Sequence, residues 1–500
     1  MADNTPPPNQ WRTLDRDLRR LSSLEYATNA VARPMVGFGV SLAFMVLAGI
    51  GAALFFSVDG NNVIVVAAAI FGAYMALNIG ANDVANNMGP AVGANALTLG
   101  GAIVIAALFE SAGALLAGGD VVSTISKGII DPQSVADTQI FIWAMMAALI
   151  SSALWVNLAT WVGAPVSTTH SVVGGVMGAG IAAAGFAAVN WPTMGTIAAS
   201  WVISPVLGGA IAAAFLAFIK AKIIYQDDKI AAARRWVPVL IGIMVGAFSA
   251  YLALKGLKKI IKIDMGTALI IGVILGAVAY VVTAPLIHRQ SEGLENRNKS
   301  LKVLFSIPLV ISAALLSFAH GANDVANAVG PLAAIVHASE FGEFAGKVSI
   351  PTWVMVIGAF GISFGLVLFG PKLIRMVGSQ ITKLNPMRAY CVALSAAITV
   401  IVASWLGLPV SSTHIAVGGV FGVGFYREWH MERRIKKLGL SRRAAAADAG
   451  IEPLPEQERR RRKLVRRSHF MTIIAAWVIT VPAAALLSGV IFLALNGVFG

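Results

Sequence analysis

Seven residues occur twice in this chain in the same order. Gly80-Ala81-Asn82-Asp83-Val84-Ala85-Asn86 returns as Gly321-Ala322-Asn323-Asp324-Val325-Ala326-Asn327, displaced by 241 positions (80 to 321). Both copies lie inside apolar runs long enough to cross a bilayer. An aspartate at the centre of a membrane helix costs about 2.5–3.5 kcal/mol on insertion scales. A chain that incurs this cost twice, in matching frames, must fold so that both carboxylates are sheltered by protein or by a wet cavity. An ionisable residue inside the membrane is by default a candidate functional residue.

Composition points the same way. The chain is 57% hydrophobic and 12% charged, with a mean hydropathy of +0.77, against about 45–50% apolar and about 25% charged in soluble domains. The apolar residues come in blocks that match a hydrocarbon core of about 30 Å, and the alternation of about 10 residues found in outer-membrane barrels is absent. An all-α, polytopic membrane protein is expected. The net charge of +14 gathers in the loops, as the positive-inside rule predicts, so no nucleic-acid partner is expected. The single cysteine, Cys391, excludes an internal disulfide and a cysteine-based metal cluster.

The chain opens with a polar arm, 1–34, containing Pro6-Pro7-Pro8. It lacks the short apolar core and cleavage site of a signal peptide. An extra N-terminal span, 35–61, precedes the first motif. A second motif is also duplicated. Gly163-Ala164-Pro165-Val166-Ser167-Thr168-Thr169-His170 is matched by Gly407-Leu408-Pro409-Val410-Ser411-Ser412-Thr413-His414, and each is followed by a Gly-Gly pair, Gly174-Gly175 and Gly418-Gly419. Two repeats follow from this order of motifs: 62–219, and 303–426 completed by a last span in 469–500. Between them, 220–302 forms two linking spans and basic loops. A basic insert, 427–468, carries the run Arg459-Arg460-Arg461-Arg462-Lys463, expected as a solvated face near anionic lipid. If the basic stretches are cytoplasmic, the two motif helices run in opposite directions, and each Pro-Val-Ser segment is the tip of a hairpin reaching the membrane interior. Inverted repeats of this kind mark one class of secondary transporter. Lys255, Lys258, Lys259 and Lys262 are an exception to the charge rule, falling on the outer side.

The chemistry of the two motifs is complementary. Proline beside glycine and hydroxyl residues breaks an apolar helix, and such breaks at membrane depth are tolerated only inside protein or beside a wet cavity. Ser167, Thr168 and Thr169 then open a new helix, whose free N–H groups and partial positive charge suit an oxyanion. Asp83 and the carbonyl oxygens of Asn82 and Asn86 are acceptors, spaced to share a helix face, and oxygen ligands of this type suit a hard cation. Two aspartates and an anion repel one another in a low dielectric; bound cations or protons remove the conflict, so coupled transport is expected. His170 and His414 are read as donors holding the hairpin tips, and Glu110 as a coupling site or a partner that holds a helix.

At these motif pairs the chain resembles the inorganic phosphate transporter family, PiT, and looks like a bacterial member. The resemblance covers 62–219 and 303–495, and extends to Lys127-Gly128-Ile129-Ile130-Asp131 and Phe109-Glu110-Ser111. It implies inverted repeats and a symporter that imports inorganic phosphate with Na+ or H+ by alternating access. Carried over residue by residue, phosphate falls to Ser167, Thr168, Thr169, Ser411, Ser412 and Thr413, and cations to Asn82, Asp83, Asn86, Asn323, Asp324 and Asn327. The two full Asn-Asp-Val-Ala-Asn copies look more like sodium-coupled relatives. The chain departs from the family pattern in its extra first span, its insert 427–468, and Ala393, where an acid paired with Glu110 is expected. The alternatives are a permease for sulfate or another tetrahedral oxyanion, and an anion channel; the spans lack the Lys and Arg rings that anion pores use. No enzyme activity and no cofactor beyond the coupling ion are expected. The expected setting is the bacterial cytoplasmic membrane, multi-pass, with the N-terminus inside and a homodimer allowed for.

Overall fold

The computed structural model describes residues 35–56, 62–131, 134–135, 137–162, 166–255, 263–342, 350–376, 384–437 and 467–499. The arm 1–34, Lys258, Lys259 and Lys262, Gly163-Ala164-Pro165 and most of the insert, 438–466, lie outside them. The described residues form helices joined by short loops, with one isolated bridge between Ile130 and Val189. Eleven of these helices are long and apolar enough to cross a membrane. In chain order, α1 is Met35–Phe55; α2, α3 and α4 are Asn62–Asn82, Val84–Gly93 and Leu99–Ala117. After a short turn of helix, α5 (Gly119–Ser123), come α6 (Thr138–Val162), α7 (Thr168–Ala184) and α8 (Trp191–Ile219). The linking pair is α9 (Lys229–Lys255) and α10 (Met265–Gln290), followed by the short α11 (Asn298–Leu304). The second copy comprises α12 (Ser306–Phe341), α13 (Thr352–Met376), α14 (Pro386–Trp405), α15 (Ser412–Lys437) and α16 (Arg467–Phe499). Helix α15 thus continues through residues 427–437.

The two copies interlock. Gly80 in α2 presses so closely on α13 that a Cβ there would collide with the Ile362 carbonyl, and Gly365 in α13 meets the Leu77 carbonyl of α2 in the same way. The reciprocal contact joins the other ends of each copy: Gly113 in α4 faces the Phe318 carbonyl of α12, and Gly321 faces the Glu110 carbonyl. Small residues at such crossings let backbones approach in lipid, where no hydrophobic drive holds helices together. The hairpin helices repeat the pattern. Gly174 and Gly178 of α7 pack on the backbone of Val481 and Ala485 in α16, and Gly418 and Gly422 of α15 pack on Pro205 and Gly209 in α8. Each copy's element therefore rests on the complementary element of the other.

Ser111 of α4 and Ser363 of α13 meet where these crossings converge. Their hydroxyl oxygens are 2.7 Å apart, and each also reaches a backbone carbonyl across the crossing, Ser111 to Ala359 and Ser363 to Ala107. This geometry revises the expected mate of Glu110. Packing makes Ile362, not Ala393, its counterpart in the other copy: Gly80 rests on Ile362 as Gly321 rests on Glu110. Ala393 sits fully buried on α14 in the core.

The crossings are testable. Gly365→Ala should lower the thermal unfolding midpoint of the detergent-solubilised protein by several degrees, since overpacking a tight contact costs about 1–3 kcal/mol. Gly51→Ala on α1, where nothing lies within 4 Å of the new methyl, should melt like the parent. Equal melting of both variants would contradict the packing.

Candidate functional site

The first motif places its aspartate at a helix interruption. α2 ends at Asn82 and α3 begins at Val84, with Asp83 between them. The second motif runs unbroken through α12. The hairpin tips are set by local chemistry. In the second, Gly407 takes the left-handed conformation (φ 69°) that ends α14, Pro409 follows, and α15 restarts at Ser412. In the first, α6 stops at Val162 and α7 starts at Thr168. Ser167 caps α7 by accepting from the His170 N–H (3.1 Å), and Ser411 accepts from the His414 N–H (3.4 Å). These two serines therefore act as helix caps.

Side chains from both copies converge between the tips. The twin aspartates, 241 positions apart in sequence, come together with His320: one ligand-type atom from each of Asp83, Asp324 and His320 lies within 4.8 Å of the others. All three residues are buried. Asp83 accepts from Thr168 of its own copy (2.6 Å) and from Thr413 of the other (3.2 Å). Asn86 donates to Thr413 (2.8 Å), while Asn327 donates to Thr168 (3.2 Å) and Thr169 (3.1 Å). Thr169 in turn donates to the Val410 carbonyl of the opposite tip (3.0 Å). The motif helices are thus tied to both hairpins by bonds that cross between copies.

Asn82 and Asn323 serve differently. Asn82 donates to Thr160 on the arm of the first hairpin (2.8 Å). Asn323 donates to Ser404 (3.0 Å) and to the Leu408 carbonyl (3.1 Å), and its own oxygen accepts from the Val410 N–H (3.3 Å). Both hold hairpins against motif helices. His170 and His414 face each other, ring centres 4.5 Å apart, and His170 lies against Trp201 at 3.8 Å.

The sequence reading missed His320 and Asn87. His320 has a carboxylate oxygen at each ring nitrogen: Glu110 at Nδ1, 2.6 Å away, and Asp324 at Nε2, 2.9 Å away. Nδ1 is hydrogen-bonded to Glu110, whereas Nε2 lies beside Asp324 without a hydrogen bond to it. Asn87 donates to the other oxygen of Glu110 (2.9 Å). Glu110 is therefore an inner member of a fully buried series, Asn87–Glu110–His320–Asp324, that leads into the carboxylate pair. The available signal was the spacing of His320, four residues before Asp324 and so on its helix face.

Several polar atoms of the two motifs are left over. Asp324 Oδ1, Asn327 Oδ1 and the Ser412 hydroxyl are buried without a hydrogen-bond partner among the described residues. Two ionised carboxylates about 5 Å apart repel by about 3 kcal/mol at an effective dielectric of about 20. Buried all-oxygen acceptors beside a carboxylate pair have the donor set a hard cation takes.

The phosphate transporter family profile matches residues 79–488. The chain belongs to the phosphate transporter family. A candidate phosphate permease of Helicobacter pylori is 43% identical over 96% of this chain and 99% of its own length. A similarly named protein of Pyrococcus abyssi is 36% identical, covering 85% of this chain and 96% of its own. Among solved structures, one described as the sodium-dependent phosphate transporter has 33% identity and a TM-score of 0.77, covering 87% of this chain and 100% of that one. The chain is thus a multi-pass membrane protein of a phosphate transporter family, with an all-helical fold.

Glu110 and His320 can be tested as a pair. Their packing counterparts in the other crossing are Ile362 and Ile79, both fully buried. Removing one partner of a buried ion pair costs about 3–5 kcal/mol, whereas replacing both with apolar groups can be neutral. Glu110→Ile and His320→Ile should each lower the unfolding midpoint, and the double variant should melt above either single one. Additive losses would show that the two side chains do not act as a pair.

Proposed function

We propose that this transporter is a symporter that imports inorganic phosphate together with Na+ across a bacterial cytoplasmic membrane by alternating access. The observation that carries the reading is the meeting of Asp83 and Asp324 between hydroxyls supplied by both hairpin tips. In this reading the copies run in opposite directions through the bilayer, the first as 62–219 and the second as 303–426 with 469–500. The N-terminus, 1–34, and the insert 427–468 lie on the cytoplasmic side. Na+ as the coupling ion is supported by the sodium-dependent structural relative, and H+ is the other candidate.

The geometry suggests an order of events. Asp83 occupies two hydroxyl donors, those of Thr168 and Thr413. A cation at Asp83 would satisfy the carboxylate and release both hydroxyls toward an oxyanion. The N-terminal turns of α7 and α15 would add backbone N–H groups and favourable dipole ends. Asp324, Asn327 and Asn86 would provide further cation oxygens, with Asn82 and Asn323 fixing the hairpins. Cation and anion would each complete the site for the other, which links their movement without any covalent step. Ser167 and Ser411, as caps, would act on phosphate through helix position, while Thr168, Thr169, Ser412 and Thr413 would face it.

Two measurements in proteoliposomes test this. Labelled phosphate and labelled sulfate uptake would be followed with Na+ and H+ gradients imposed separately; phosphate driven by Na+ is expected, and equal uptake without any cation gradient would exclude symport. Asp83→Asn or Asp324→Asn should abolish gradient-driven uptake while leaving a folded protein. In the same assay, the KM for phosphate should fall as Na+ rises. Thr168→Val with Thr413→Val should raise that KM about tenfold or more, the effect of losing hydrogen bonds to a charged group, and more than Ser167→Ala with Ser411→Ala. A larger effect from the serine pair would move the anion to the caps.

A further inference from the structure

A groove of about 1290 Å³ runs along one flank of the molecule between α8, α15 and α16. Ordinary small-molecule clefts hold roughly 300–1,000 Å³. Its inner end reaches His170 and His414; its walls include Ala210 of α8, Phe421 of α15 and Pro482 of α16. Val206, Phe425 and Val478 line its outer lip and are 68%, 54% and 66% exposed. The groove therefore opens sideways, toward the surface that apolar spans present to lipid.

One end is aromatic and basic. Tyr426 and Trp429 line the groove there, the residue types that settle at headgroup depth. Lys220 lies 5.0 Å above the Tyr426 ring, and Arg433 lies 4.2 Å above Trp429. Lys220 is half-buried directly after α8, and Arg433 is exposed on the same side of α15 as Trp429. Arg388 and Arg427 are also half-buried but do not line the groove. Two cations held over aromatic rings at the end of an apolar groove are complementary to a phosphate that carries long hydrocarbon chains, and basic pockets between membrane helices take such headgroups.

We propose that this groove binds an anionic phospholipid, with its acyl chains against α8, α15 and α16 and its phosphate at Lys220 and Arg433. The lipid would fill the flank behind the hairpin tips, reaching His170 and His414. Binding of this kind is independent of which anion the protein transports.

The test uses the full chain, purified in detergent and stripped of lipid, titrated by native mass spectrometry with phosphatidylglycerol, phosphatidylcholine and inorganic phosphate. Phosphatidylglycerol should bind at least about tenfold more tightly than phosphatidylcholine. The Lys220→Gln, Arg433→Gln double variant should weaken phosphatidylglycerol by about twenty-fivefold, at about fivefold per cation. Val206→Trp, whose side chain points outward into the groove, should weaken both lipids while keeping the parent's unfolding midpoint. Should the double variant not fold, Arg433→Gln alone should show the fivefold loss. Equal binding of the two lipids, or phosphatidylglycerol binding unaffected by either set of changes, would overturn the proposal. Displacement of the lipid by millimolar inorganic phosphate would also overturn it, assigning the cations to a free anion. Failure of phosphatidylglycerol to bind, as when another part of the chain fills the groove, would do the same.

Discussion

Two buried carboxylates that face each other set the terms for this structure. Asp83 and Asp324 come from opposite copies and lie within 4.8 Å, together with His320. Their repulsion in a low dielectric must be offset by groups held in fixed positions. The offset is supplied by threonine hydroxyls from both hairpins on Asp83 and by the His320 ring against Asp324. Glycine crossings hold the helices that carry these groups at backbone contact. Helix packing, tip geometry and charge balance are therefore one problem: loosening a crossing moves a donor away from a carboxylate.

The two halves solve this problem unequally. At the crossing of α2 and α13 the residues in the equivalent positions are Ile79 and Ile362; at the crossing of α4 and α12 they are His320 and Glu110, which bond. The backbone scheme is shared, but the polarity is not. Asp324 has an imidazole ring beside it, whereas Asp83 relies on hydroxyl donors. Two sites alike in sequence motif thus differ in the groups that surround them, so they are not equivalent places for a cation.

Much of this was legible in the sequence, and the reason is duplication. Paired motifs located the carboxylates, the hairpin tips and the residues that bridge them, and the convergence of Asp83, Thr168, Asn327 and Thr413 follows that reading. What the sequence hid was whatever the copies do not share. His320 has an isoleucine at its counterpart, and Asn87 has Ala328, so comparison of the motifs passes over both. Roles within a motif were also hidden. Ser167 looks like an anion ligand beside Thr168, but its position just before α7 makes it a cap. Asn82 and Asn86 share a spacing, yet the helix interruption at Asp83 sends one to Thr160 and the other to Thr413. The counterpart of Glu110 needed the three-dimensional crossing, because Ala393 and Ile362 are equally apolar in the sequence.

The contact between Ser111 and Ser363 has a consequence for symmetry. A side chain that meets its own counterpart must be able to play both parts of the interaction at once. Hydroxyls can, since each is donor and acceptor together; an ammonium group facing its twin, or an ionised carboxylate facing its twin, cannot. Such a pairing would serve unchanged between two separate, identical polypeptides, so the centre of the crossing is indifferent to which copy supplies which serine, whereas the histidine and glutamate beside it are not.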